Sequence, residues 1–471
     1  MMPLSGQKVE LLASTGDTTV ARQSPPEGAE DATSSPRPDR RADDGDGGLR
    51  GYFETAQWTA DGTTILTSSS SNLVSGFVVP ADLLSPAARR PLALVPQATI
   101  QLPEPSNVLA GAPYFRLAEP WTQQLLVSSY DHPIQLFYLS SADASSSSSS
   151  PSPAASYPFV KERSETFLAA TSLAWPAPGT HFVAGARNLL AWFDVGRAGA
   201  GTEPLLRVKT IPSERHLAKG GGVGMRGTVS ALAACPAPDG LVAAGTWTRW
   251  VGLYDLPRAG ACVATWSVAP APVEAAGVGG DGVTQTLWSP CGRYLLVGER
   301  KSTGVLVYDV RVAGRLLGWL SDREALGNQR INGDVFAGQD GAGFEVWSGT
   351  TRGAVKVWEG VGNREGAHPP SWQWAAHRRS TVGSTCVHQS GSVVATCSGS
   401  WEFPDSEDGS ESEGRSQTDG SSASAGDESR TSREETAWMR RRNKESSLKI
   451  WGIGSNDEET ASPRENTGSA E

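Results

Sequence analysis

The sequence predicts an all-β fold, a seven-bladed β-propeller, and three observations lead there. Seven times an apolar run ends in an aromatic residue: Phe77, Phe137, Phe193, Tyr254, Tyr308, Trp358 and Trp451. Four of these are followed by an acid, as Phe193-Asp194, Tyr254-Asp255, Tyr308-Asp309 and Trp358-Glu359. The intervals between them are 60, 56, 61, 54, 50 and 93 residues, and the last encloses a polar insertion of about 45 residues. Without that insertion the spacing returns to about 50. A repeat of this length, with several short strands and an aromatic-acid ending, is the pattern of a WD40-type propeller. Composition agrees: 16 Trp against 4 Met suits pleated surfaces, and 53 Gly with 31 Pro supply many turns.

The blades are expected in order along the chain. The first covers about residues 51–102, where Trp58 and Asp61-Gly62 mark a strand and its turn. The next five centre on residues 124–139, 168–195, 228–256, 283–310 and 343–360. The seventh is split, with 384–401 cut off from 447–453 by the insertion. Each unit repeats one grammar: a strand, a Pro/Asp/Gly/Ser turn, a small-residue strand, a short polar turn, and the strand that ends in the aromatic. Pro238-Asp239-Gly240 and Ser289-Pro290-Cys291-Gly292 have hairpin chemistry. The Ala-Gly and Ser-Gly steps are expected on inner strands, where blades converge.

Outside the blades, residues 21–48 are rich in Pro, Gly, Asp and Ser and are expected to be disordered, as is the tail 454–471. Residues 7–13 alternate weakly and are expected to close the ring by lending a strand to the last blade. The insertion 404–445 is expected to be disordered too; its first part, 404–435, holds ten acids against three arginines. It ends in Met439-Arg440-Arg441-Arg442-Asn443-Lys444, which reads as a nuclear-import signal or a solvated basic run. Ser145–Ser150 reads as a low-complexity spacer and Gly220–Gly224 as an inter-blade loop.

Several function classes are disfavoured. A net charge of -10 argues against nonspecific nucleic-acid binding by the whole surface, while leaving room for a local basic patch. Cys235, Cys262, Cys291, Cys386 and Cys397 are scattered and form no CxxC pair. They read as buried or semi-buried thiols in a reducing compartment. No apolar run reaches 18 residues, and the N-terminus lacks a signal-peptide core, so a soluble intracellular protein is expected. The phosphate-loop, HExxH and GxSxG motifs are absent, as is Cys/His ligand spacing. No catalysis, metal, cofactor or small-molecule substrate is expected. His132 and His388 read as structural residues.

The sharpest candidate site lies in the short turns before the aromatic-ending strands. They carry His132, Arg187, Arg249, Arg300 with Lys301, and Arg352, in five consecutive blades. In a propeller such turns open on one face, so these side chains are expected to form a cationic arc suited to phosphates or an acidic peptide. Tyr130, Trp247 and Trp250 lie beside them and have the chemistry to stack on bases. The bland alternative is a set of solvated turn residues. The acidic insertion replaces the equivalent turn of the seventh blade, and is expected either to compete there with an anionic ligand or to be a tolerated surface loop.

These segments resemble the telomerase Cajal body protein family of WD-repeat proteins over roughly residues 51–452. The stretch Ser128-Ser129-Tyr130-Asp131-His132-Pro133-Ile134-Gln135-Leu136-Phe137 is similar to a family motif. So are Asn328-Gln329-Arg330-Ile331, Gly353-Ala354-Val355-Lys356-Val357-Trp358, and Phe403-Pro404 leading into the acidic insertion. Leu253-Tyr254 and the basic turns fit the same alignment, whereas Phe137-Tyr138 stands where the family has Trp-Asp. The resemblance implies a noncatalytic nuclear scaffold for box H/ACA-type small nuclear RNA, including telomerase RNA, or for its ribonucleoprotein proteins. It implies a monomeric propeller in the nucleus and its Cajal bodies, with a cytoplasmic pool, and, for a fungal branch, a role in pre-messenger RNA splicing. It also brings Arg330 into the candidate RNA-binding set. The alternative function is a protein-only adaptor that presents the same face to an acidic peptide.

Overall fold

The computed structural model describes residues 7–19, 51–139, 152–211, 224–237, 240–269, 277–338, 343–402, 442–443 and 445–455. The expectations for 21–48, for Ser145–Ser150 and for nearly all of the insertion, its basic end and the tail lie outside them. So does most of the Gly220–Gly224 segment.

Seven sheets of four antiparallel strands, two of them extended by a fifth, parallel strand, make a seven-bladed β-propeller. Blade 1 is Phe53–Trp58, Thr64–Ser69, Leu73–Val78 and Ala98–Gln101. Blade 2 is Ser106–Gly111, Gln124–Ser129, Ile134–Tyr138 and Ala155–Tyr157. Blade 3 is Ser172–Ala174, His181–Ala186, Leu189–Asp194 and Leu206–Lys209. Blade 4 is Val229–Ala234, Leu241–Thr246, Trp250–Asp255 and Ala261–Ser267. Blade 5 is Val283–Trp288, Tyr294–Glu299, Val305–Asp309 and Leu316–Leu320. Blade 6 is Asp334–Phe336, Phe344–Gly349, Ala354–Val361 and Trp372–Ala375. Blade 7 takes Val382–Val387, Val393–Ser398 and Ser447–Ser455, then Gln7–Ser14 from the other end of the chain as its fourth strand. Among the described residues, the sole helical element is the 3-10 turn Pro120–Thr122.

The first strand of every blade lines a central channel of about 1260 Å³. The seven aromatics that set the repeat all sit on third strands, and all are nearly buried, from 0% exposed for Trp358 to 9% for Trp451. Each sits in a strand with consecutive buried residues, covered on both faces by its neighbours, which is why an apolar run with an aromatic recurs once per blade.

The small-residue steps lie elsewhere than expected. Gly185, Gly245 and Gly349 are on second strands, away from the axis. A Cβ on each would come within 3.0 Å of Val229, Val283 and Val382 respectively, the first strand residues of the next blades. Glycine is therefore required where one blade receives the next, because close-packed interiors have no room for an added methyl group.

Blade 7 carries a buried polar chain that ties two of its strands to the loop leading into it. Trp451 Nε1 donates to Thr396 Oγ1 at 2.9 Å, and the Thr396 hydroxyl donates to His377 Nε2 at 2.8 Å. With Nε2 accepting, the ring proton sits on Nδ1, which faces Ser447 Oγ at 3.1 Å and Glu445 Oε1 at 3.8 Å. Burial pushes His377 down to about 4. The folded state therefore binds fewer protons than the unfolded chain between the ordinary value of 6.5 and about 4. Stability is complete above that window and falls as the pH falls through it, by roughly 3 kcal/mol. Thermal melts between neutral and acid pH should show this slope in the wild type and a shallower one in His377→Gln. Parallel profiles would reject the histidine as its source.

Candidate functional site

In each blade the strands alternate direction, so the turns joining second to third strands all open on one face. That face also holds the start of every inner strand, and hence one mouth of the channel. The turns share a backbone constraint: Asn72, Asp131, Asn188, Arg249, Lys301 and Gly353 have φ of 62°, 53°, 56°, 64°, 50° and 90°. Left-handed backbone favours Gly, Asn and Asp, which explains four of the six.

This common position shows that the expected arc is not made from equivalent residues. Arg187, Arg300 and Arg352 precede the left-handed residue, Arg249 and Lys301 occupy it, and His132 follows it. The side chains consequently diverge. Arg249 Nε meets Glu299 Oε1 of blade 5 at 2.7 Å, and its Nη2 meets Oε2 at 3.3 Å, with the two side chains 18% and 2% exposed. Arg300 and Lys301 both approach Asp281, at 3.7 and 3.4 Å. Arg352 lies 4.0 Å from Glu324, which is itself held by Lys356 at 3.0 Å. Arg187 is exposed and makes no ion pair among the described residues. His132 is half-buried in its turn, and Trp250 packs half-buried against the core between blades 3 and 4.

The channel mouth gathers a different set. Tyr130 and Trp247 line it, 52% and 41% exposed, with Leu326 at 52%. Tyr52 and Trp401 complete the rim, edge to face at 5.6 Å. The Arg300 guanidinium lies 5.7 Å over the Trp247 ring. Leu326, Tyr52 and Trp401 were not among the sequence candidates. Trp401 had a visible signal, since it immediately precedes the insertion, whose flanks Trp401–Glu402 and Arg442–Asn443 pair as a short hairpin at this same mouth.

Residues 321–333, joining blade 5 to blade 6, form a strap that carries the Asn-Gln-Arg-Ile segment over the mouth. Arg323 anchors it, 1% exposed, donating to the carbonyl of Ile331 at 2.6 Å and to Ser348 Oγ at 3.1 Å. Burial lowers the Arg323 guanidinium to about 10, so it stays charged at neutral pH. Further along, Gln329 Nε2 donates to the carbonyl of Gly399 beside blade 7 at 2.8 Å. Arg330 Nη2 reaches the carbonyl of Thr171 beside blade 3 at 3.1 Å. The strap thus spans the axis. Burial pushes Arg330 down and Glu54 up, and each charge opposes the other's shift.

Elsewhere, Cys386 and Cys397 are buried, but Cys262 and Cys291 are exposed, contrary to the expectation of buried or semi-buried thiols. Cys262 lies at the open start of an outer strand and Cys291 in a turn. No cluster of His, Cys, Asp or Glu among the described residues could hold a metal. No helix there is long and apolar enough to cross a membrane.

The fold and its repeat define a WD40-type seven-bladed propeller with an aromatic-rimmed channel. No family model matches the chain. The chain is a distant homologue of telomerase Cajal body protein 1, being 27% identical to the proteins of that name from Bos taurus and Homo sapiens over 77% of its length. The match spans 60% of those relatives' own length. It is also 26% identical, over 65% of its length, to the Schizosaccharomyces pombe protein named guanine nucleotide-binding protein negative regulator 1, covering 70% of that relative.

The ion-paired Arg249 and the exposed Arg187 differ in what they support. Breaking a buried ion pair leaves an uncompensated charge, so Arg249→Ala should destabilise the fold by about 3–5 kcal/mol. Arg187→Ala should change stability by no more than about 0.5 kcal/mol. Urea melts of the two variants check this, and equal midpoints would show that the Arg249–Glu299 pair carries no stability.

Proposed function

We propose that the protein is a noncatalytic nuclear scaffold that binds single-stranded segments of small nuclear RNA, of the box H/ACA type, or their ribonucleoprotein. The observation that carries this reading is the rim itself. Aromatic side chains from separate blades surround a mouth crossed by Arg330, with the exposed cations Arg187 and Arg352 nearby. Unstacked bases bind by stacking on aromatic faces, and guanidinium groups hold the adjoining phosphates. A double-stranded ligand fits less well, because most turn cations are already neutralised by acids of their own or neighbouring blades.

In this reading Tyr130 and Trp247 stack on bases. Arg187, Arg352 and Lys301 meet phosphates, Arg330 reads the nucleotide nearest the axis, and Arg249 supports the fold. Location in the nucleus and its Cajal bodies is supported by the relatives' name and belongs to the same proposal, as do a cytoplasmic pool and service to telomerase RNA or to splicing ribonucleoproteins. The paired segments Trp401–Glu402 and Arg442–Asn443 that flank the acidic insertion support a role for it as a competing anion at this mouth.

Fluorescence anisotropy with a labelled single-stranded RNA tests the reading. Trp247→Ala with Tyr130→Ala should weaken binding at least about thirty-fold, since each of the two stacked bases contributes roughly 1–3 kcal/mol. Arg187→Ala should reduce the salt slope by about 0.7, one phosphate's share on a single strand. Unchanged affinity in both variants would reject the rim as an RNA site. Crosslinking from cells that recovers no RNA above a free-tag control would favour the alternative, an adaptor for an acidic peptide.

A further inference from the structure

The face opposite the mouth carries the turns between first and second strands, and two of these hold cysteines in adjacent blades. Cys235 follows the strand Val229–Ala234 of blade 4, and Cys291 lies in the turn after Val283–Trp288 of blade 5. The two turns touch. Cys235 Sγ is 3.9 Å from the carbonyl oxygen of Gly292, and a Cβ built on Gly292 would meet that sulfur at 3.0 Å. Gly292 directly follows Cys291, so a single backbone step of about 3.8 Å separates the neighbour of Cys235 from the second cysteine. Neither thiol is in a disulfide, and Cys291 is exposed.

We propose that Cys291 and Cys235 form a peroxide-sensitive thiol pair whose oxidation links blades 4 and 5 by a disulfide. The Cys291 thiolate attacks one oxygen of hydrogen peroxide. An S–O bond forms, the O–O bond breaks, and the departing hydroxide takes a proton to become water. The Cys235 thiolate then attacks the Cys291 sulfenic acid, displacing hydroxide and forming the S–S bond. In total two thiols and one peroxide give one disulfide and two waters. The exposed Cys291 is the attacking group and the half-buried Cys235 resolves it.

The local chemistry separates Cys291 from the other exposed cysteine. Partial burial would raise the Cys291 thiol, but the Ser289 hydroxyl, the Arg293 backbone N–H and the Arg293 charge outweigh it and bring it below its ordinary value. Cys262 is held above that value by partial burial of its sulfur, which outweighs the hydrogen bonds to Ala264 and Tyr254. Thiolate content controls the rate of attack, so the two exposed thiols form an internal comparison.

Full-length protein is treated with hydrogen peroxide, and its peptides are mapped by mass spectrometry without reduction. The expected result is a Cys235–Cys291 linked peptide, with loss of two thiols per chain. In Cys235→Ser, dimedone should label Cys291, and brief alkylation should modify Cys291 about ten-fold faster than Cys262. A linked peptide involving Cys262 instead, equal alkylation rates, or sulfenic acid at Cys291 that never resolves in the wild type would each overturn the proposal.

Discussion

A ring of sheets stands only if its last member is joined to its first, and here the joint is made inside one blade. Gln7–Ser14 pairs antiparallel with Ser447–Ser455, so the two ends of the chain share a sheet. Leu92–Ala93, from the connection between the third and fourth strands of blade 1, then pairs parallel with Ala13 and Ser14. Arg90 beside it binds Glu10 at 2.6 Å. The N-terminal strand is therefore held between blade 7 and a segment of blade 1. The same arrangement recurs once more, where Gly366–His368 of the blade 6 connection pairs with Leu316–Leu320 of blade 5. In both places an outer strand that would present unpaired amides is covered. Everything at the channel mouth depends on this closure, since the rim is assembled from residues that meet only in a closed ring.

The parts legible in the sequence are those that repeat. Third-strand aromatics recur because each blade needs one large buried side chain, and turn residues recur because each hairpin needs one left-handed position. Both leave a periodic trace. The second-strand glycines recur too, yet their cause was hidden, because Val229, Val283 and Val382 belong to the following repeat and approach only after the blades stack. The rim was legible in part. Tyr130 and Trp247 flank the turns and invited attention, whereas Tyr52 and Leu326 come from segments leading into first strands, and Trp401 from the interrupted second-to-third connection of blade 7.

The electrostatics of the turns was the least legible part, for a specific reason. A cation in a polar turn looks free when read along the chain. Glu299, which neutralises Arg249, lies 50 residues away on the next blade and directly precedes another basic turn. Asp281 and Glu324 are likewise placed by connections between blades. Arg249 meets its acid on the following blade, while Arg300 and Arg352 meet acids carried by the connections that lead into their own blades, so each of these basic turns is neutralised by a residue distant in sequence. The arc read from sequence becomes a partly neutralised surface, and the distinctive chemistry moves inward to the aromatic rim.

That shift explains the two strap arginines together. A buried guanidinium is costly unless its N–H groups are bonded, and Arg323 meets the cost with a carbonyl and a hydroxyl from elements that are themselves fixed. It thereby holds residues 324–331 in one course across the mouth. Arg330 is placed by that course, anchored to the Thr171 carbonyl with the Glu54 charge close by, and in the proposed function its other donors meet the ligand. A side chain already ordered before binding loses little entropy when the ligand arrives, so its hydrogen bonds contribute more to affinity than those of a free surface arginine. The exposed turn cations can steer an anion toward this face. In the proposed function, the preset arginine and the rim around it are what distinguish one anion from another.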